Sequence, residues 1–107
     1  MNKVELKGNV GRDPRIVTLE NGSAVARFPL ATHQTYKDRK GEWREETAWH
    51  NIVAWSVKGM PDFTRIRKGA FIELTGKIQY VKYRNPAGEE RFMTEIVALK
   101  MIIPPAE

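Results

Sequence analysis

Trp49 and Trp55 stand six residues apart in the run Thr47-Ala48-Trp49-His50-Asn51-Ile52-Val53-Ala54-Trp55. Side chains alternate along an extended strand, so both indoles emerge on one face with Asn51 and Val53 between them. The opposite face carries Ala48, His50, Ile52 and Ala54, a smaller set suited to the inside of a barrel. A flat strand face with spaced indoles can stack nucleobases, because every base presents a π face. The competing place for two large aromatics is a barrel core or a subunit interface. Their phase opposite Ile52 favours the open face.

Charge supplies the second half of that chemistry. Eighteen Lys and Arg against 13 Asp and Glu leave +5 on 107 residues, and such a surface draws polyanions by screened attraction and counterion release. Tracking phosphates takes several cations along a groove; the candidates are Arg27, Lys37, Arg39, Lys40, Arg44, Lys68, Lys77, Lys82 and Arg84, with Asn51 and Gln79 as polar contacts. Tyr36 sits among Lys37, Arg39 and Lys40, where an exposed ring suits a path of bases and phosphates and ordinary hairpin packing is the alternative. Tyr83 follows Lys82 and shares an outward face with Lys77, Gln79 and Val81. Trp43 has the phase of Trp49 but lies near a loop tip, so an auxiliary platform and a cross-strand pair both fit it.

Other chemistries find little support. Cysteine is absent, which excludes a disulfide framework and a thiolate zinc site, and His33 and His50 do not make a metal centre between them. No metal or cofactor is expected. Hydrolysing phosphodiesters needs clustered metal-binding carboxylates or an activated nucleophile; Glu42, Glu45 and Glu46 beside Arg44 read as a solvated charge run, and no catalytic residue is assigned. His50 faces away from the indoles and is expected in packing or a subunit contact. The first residues, Met1-Asn2-Lys3-Val4-Glu5-Leu6-Lys7, alternate charge with aliphatics, unlike a signal peptide, and no window reaches membrane-spanning length. A cytoplasmic, nucleoid-associated protein is expected.

The elements that must position these residues follow a period of two. Val4, Leu6, Gly8 and Val10 oppose Lys3, Glu5 and Lys7 in a first strand. Asp13-Pro14 breaks it, a short extended piece runs from Arg15 to Leu19, and Asn21-Gly22 signals a tight hairpin. The second strand spans about 24–36, Asp38-Arg39-Lys40-Gly41 is a loop tip, and the third spans 43–55, making a long projecting hairpin of residues 33–46. Met60, Phe63 and Ile66 recur at helical spacing after Pro61 and predict one short helix. Ile72, Leu74, Gly76, Ile78 and Tyr80 form the inner face of a fourth strand, Asn85-Pro86-Ala87-Gly88 turns the chain, and a fifth strand runs from Arg91 to Met101. Gly8, Gly69 and Gly76 are expected to serve bends and close barrel packing. Five strands with a helix between the third and fourth is the order of an all-β OB-fold, a Greek-key barrel.

Asn2-Lys3-Val4, Gly8-Asn9-Val10-Gly11-Arg12-Asp13-Pro14, Asn21-Gly22 before Ala24-Val25-Ala26, Leu30-Ala31-Thr32, Thr47-Ala48-Trp49-His50, Arg67-Lys68-Gly69 and Gly76-Lys77 stand in an order and spacing that resembles the bacterial single-stranded DNA-binding proteins. The resemblance covers roughly residues 2–103. It implies the OB-fold over 1–103, a single-stranded DNA partner, a homotetramer, and protection of that strand in replication, recombination and repair. It also implies base stacking at Tyr36, Trp49, Trp55 and Tyr83. The family often has Trp at the positions of Tyr36 and Tyr83 and Phe at that of Trp55, so each departure keeps a π face. Family members usually continue into a flexible linker and an acidic tip that docks other proteins. Here residues 104–107 are read as a short end, and tail-mediated partners are not supported. The alternative is a primosomal adaptor that binds RNA or protein through the same fold.

Overall fold

The computed structural model describes residues 1–105; the last two residues of the short end lie outside that range. Six strands follow one another as β1 (Val4–Val10), β2 (Arg15–Thr18), β3 (Ala24–Lys37), β4 (Trp43–Trp55), β5 (Phe71–Arg84) and β6 (Glu90–Ile102), with a single 3-10 turn at Phe63–Arg65. They form one sheet in the order β1-β5-β6-β4-β3-β2, and β1 pairs with β3 as well. That extra ladder, Asn9 with Ala31 and Val10 with Leu30, closes five strands into a barrel and leaves β2 as an appended edge. All pairings are antiparallel except β4 with β6. This is the expected OB-fold, with the extended piece near Arg15 added as a strand.

The barrel interior takes one parity of each strand. Val10, Phe28, Leu30, Ile52, Ile72, Leu74, Ile96 and Met101 meet there, and Phe63 and Ile66 plug one end with Met60 packed beside them. The apolar spacing of the expected helix is therefore used, but its backbone makes only one 3-10 turn. Asp62 caps its start, accepting from the Thr64 amide, and Ile66 is already extended. Gly59 and Gly69, both at positive φ, leave too few residues between them to repay the cost of helix nucleation.

A second expectation also changes. Ile72 and Leu74 are buried, yet Ile78 and Tyr80 of the same alternation are exposed. Ile78 pairs with Ile96, the last β6 residue laddered to β4; beyond that pair β5 and β6 continue as a ribbon, so the inward parity has no opposite wall to meet. Ala48 is exposed for the same reason on the β3–β4 ribbon. Within the barrel, Thr75 pairs with Lys100 and Gly76 with Ala98, so Leu99 is the extra residue of a bulge. The bulge shifts the side-chain phase by one, allowing Ala98 and Met101 both to point inward.

Closure depends on Gly8. A Cβ there would lie 2.1 Å from the Ala31 carbonyl oxygen, a backbone atom, so the β1–β3 seam would have to open. Gly8→Ala is expected to cost about 3 kcal/mol, the upper end for overpacking, and to lower Tm by roughly 10 °C or more in a thermal melt.

His50 is half-buried on the barrel-facing parity of β4, with its Nε2 2.8 Å from the Thr32 hydroxyl, and burial holds its pKa below the ordinary histidine value. The unfolded chain therefore takes up this proton first, and stability falls as pH drops through the ordinary histidine range. Asp38 and Asp62 are held below the usual aspartate value, chiefly by the Glu42 and Thr64 amides, and matter only at more acidic pH. Melts from pH 7.5 to pH 5 should show a declining Tm in the unmodified protein and a flatter profile in His50→Gln.

Candidate nucleic-acid interface

The outward parity of β3, β4, β6 and β5 makes one continuous wall. Along β4 it presents Trp43, Glu45, Thr47, Trp49, Asn51 and Trp55, with Val53 of the same parity buried between the last two. The ladders place Ala31 beside Trp49, Pro29 beside Asn51, Arg27 beside Val53 and Val25 beside Trp55. On the other side Val97 follows Val53, then Lys77, while Gln79 pairs with Glu95 and Tyr83 with Arg91. Trp49 is 62% exposed and Trp55 40%. At a rise of about 3.3 Å per residue the two are roughly 20 Å apart along the strand. Neither indole belongs to the barrel core.

Tyr83 is exposed on the same wall, near the far end of the β5–β6 ribbon. Tyr36 is exposed too, but it pairs with Arg44 and shares the parity of Phe28 and Leu30. It projects from the reverse side of the β3–β4 ribbon, so the structure brings three of the four expected aromatics onto one wall and leaves Tyr36 across the ribbon from them. Trp43 sits on the Trp49 side, and the Lys37 ammonium lies 5.3 Å from its ring centroid. That contact realises the cross-strand pair as a cation–π interaction.

The cations divide by what already holds them. Arg39 and Lys40 stand exposed at the ribbon tip, in a turn built by Asp38, whose carboxylate accepts from the Lys40 and Glu42 amides. Arg44 contacts Asp38 and Glu42, and Lys82 contacts Glu90 at 3.1 Å, with Arg84 opposite Glu90 in the ladder. Exposed pairs of this kind contribute little to stability, so a phosphate can replace the carboxylate. Lys77 is exposed on the outer wall; Lys68 lies in the loop before β5, its amide donating to Asp13. Glu42 is held by Arg44 and Glu45 lies 3.7 Å from His33. Among the described residues no three His, Asp or Glu side chains gather as a metal site, and no helix is long and apolar enough to cross a membrane.

Several residues of this wall escaped the sequence. A groove of about 610 Å³ beside Asn51, at strand positions between those of the two indoles, has Arg12, Asp13, Arg15, Arg27, Met93 and Glu95 in its lining. Arg12 and Arg15 flank the Asp13-Pro14 break, and only closure of the barrel folds that turn against the sheet. Gly11 seats Trp49: a Cβ on it would lie 2.3 Å from Cζ3 of the indole. The ring edge therefore rests on bare backbone while the rest of the ring stays open.

The sequence model of the single-strand binding protein family matches residues 1–103. This chain belongs to that family. Single-stranded DNA-binding proteins of Neisseria meningitidis serogroup A and serogroup B are each 41% identical over 101 residues, covering 94% of this chain and 58% of theirs. The chain thus spans little more than half the length of those relatives. Among solved structures, Plasmodium falciparum SSB in complex with ssDNA superimposes with a TM-score of 0.81 at 29% identity, covering 98% of this chain and 96% of that one. A deletion mutant of the single-stranded DNA binding protein from Thermus aquaticus reaches 0.79 at 20% identity, covering 98% and 51%, and attests the fold. The family consists of non-enzymatic DNA-binding proteins.

Gly11→Ala is expected to displace the Trp49 ring and weaken binding of oligo(dT) several-fold. Tm should change little, because the atom that must move is the far edge of one side chain. Fluorescence titration together with a melt measures both.

Proposed function

We propose that this protein binds single-stranded DNA without regard to sequence, stacking bases on Trp49, Trp55 and Tyr83 along the outer wall and on Tyr36 where the strand wraps round the β3–β4 ribbon. Lys37, Arg39, Lys40, Arg44, Lys68, Lys77, Lys82 and Arg84 take up phosphates, with Asn51, Gln79 and Arg27 as polar contacts. The observation that carries the reading is a pair of open indoles, in phase on a barrel wall, flanked by cations on a chain of net charge +5. The names of its relatives point the same way. Stacking shields the bases and binding draws duplex toward single strands, which suits protection of DNA during replication, recombination and repair in the cytoplasm. A homotetramer is the proposed working form.

Titration with oligo(dT) of graded length should quench tryptophan fluorescence, and log affinity should fall with log salt by about 0.7 per phosphate neutralised. Trp49→Ala and Trp55→Ala should each cost roughly 1–3 kcal/mol, about five- to 150-fold in affinity, and native mass should show four chains. Unchanged fluorescence on adding a long oligo(dT) contradicts the reading; tighter binding of RNA of equal length moves it to the adaptor alternative.

A further inference from the structure

Glu95 is the one buried charged side chain among the described residues, at 2% exposure, and it lies on the outward parity of β6, opposite Gln79. Its Oε2 accepts from Nη1 of Arg27, and its Oε1 accepts from Nε2 of Gln79 at 3.2 Å. A carboxylate taken out of water is costly unless its oxygens are paired, and this one has donors on both. Arg27 also faces Arg15 directly across the β2–β3 ladder, a like-charge pair that repels unless compensated. The Arg27 side chain is nevertheless 51% exposed. The carboxylate engages Nη1 of its planar fork; among the described residues the other N–H donors have no hydrogen-bond partner, and the side chain lines the groove.

That groove occupies the stretch of wall between the positions of Trp49 and Trp55, where Asn51 of β4 stands with Pro29 and Arg27 of β3 in the lining. A strand stacked on both indoles has to cross it, and the base edges passing there carry carbonyl and ring-nitrogen acceptors. A guanidinium whose charge is already met by a buried carboxylate draws little further counterion release from a phosphate, but its direction is fixed. We propose that Glu95 is a positioning residue that holds Arg27 as a charge-compensated, directional hydrogen-bond donor to base edges in this groove. Arg27 is thereby set apart from the mobile phosphate-binding cations of the ribbon tips. The proposal rests on the single-stranded DNA reading above and assigns one contact within it.

The test replaces the pair by a neutral one of similar length, Arg27→Met with Glu95→Gln, which leaves net charge unchanged and no unpaired carboxylate behind. Oligo(dT) affinity is measured across a salt series, with circular dichroism as the check on folding. The double variant should bind about tenfold more weakly, the worth of one charged hydrogen bond, at every salt concentration and with an unaltered log–log slope. Glu95→Gln alone frees the Arg27 charge; it should steepen the slope by up to about 0.7 and weaken binding at high salt, where orientation decides. A slope flattened by about 0.7 in the double variant makes Arg27 an ordinary phosphate contact and overturns the proposal. So does binding unchanged in both variants, with or without a lower Tm, which makes the pair purely structural. Absence of any oligo(dT) response in the unmodified protein defeats the underlying reading, and the assignment with it.

Discussion

A barrel wall one strand thick has two sides, and the interior of this one consumes a whole parity of side chains. Every residue of the other parity must face outward, whatever its chemistry. On β4 that rule sends Ile52 and Ala54 into the core and keeps Trp49, Val53 and Trp55 out of it; Val53 is nonetheless buried on the outer side, and the larger indoles stay open. The exposure of two indoles is thus the other side of core formation. It holds only while the barrel is shut, and the shutter is short: two residue pairs between β1 and β3, at a point where Gly8 lets the chains approach.

The same closure assembles the electrostatics. Because β1 turns back after Val10, Gly11 comes to lie under the edge of Trp49, and Arg12 and Arg15 arrive at the groove beside Arg27. Guanidinium groups crowded on one stretch of wall repel, and the buried Glu95 carboxylate answers one of them. The ribbon tips follow a different design. Asp38 and Asn85 each fold a turn around backbone amides, leaving Arg39 and Lys40 exposed at one tip. Fixed donors in the middle and movable cations at the edges suit a ligand whose bases must be held and whose backbone varies in path.

Much of this was legible in the residues. Period-two alternation marked β1, β3, β4, β5 and β6 to within a residue or two, and Asn21-Gly22 marked the β2–β3 turn. The indoles were separable from the core because Ile52 sits in the opposite phase. What failed were inferences that need knowledge of where the barrel ends. Ile78, Tyr80 and Ala48 carry an inward parity that outlasts the barrel, so alternation alone called them interior. Met60, Phe63 and Ile66 showed a helical period that two flanking glycines cut to one turn. Tyr36 carries the opposite phase from Trp49, a fact contained in the ladder register between β3 and β4 and in neither strand separately. Glu95 and Gly11 were invisible for a related reason: an outward glutamate reads as solvated, and a glycine after a strand reads as a bend, until a distant element packs against it.

The most direct test of the account is the solvent accessibility of a single indole. In a Trp43→Phe, Trp55→Phe variant only Trp49 emits, and acrylamide quenching can be followed with and without bound oligo(dT). Efficient quenching in the free protein and strong protection in the complex is the expected result. An indole already shielded before DNA is added, or one equally accessible after saturation, would contradict the claim that the outward parity of β4 is where the bases lie.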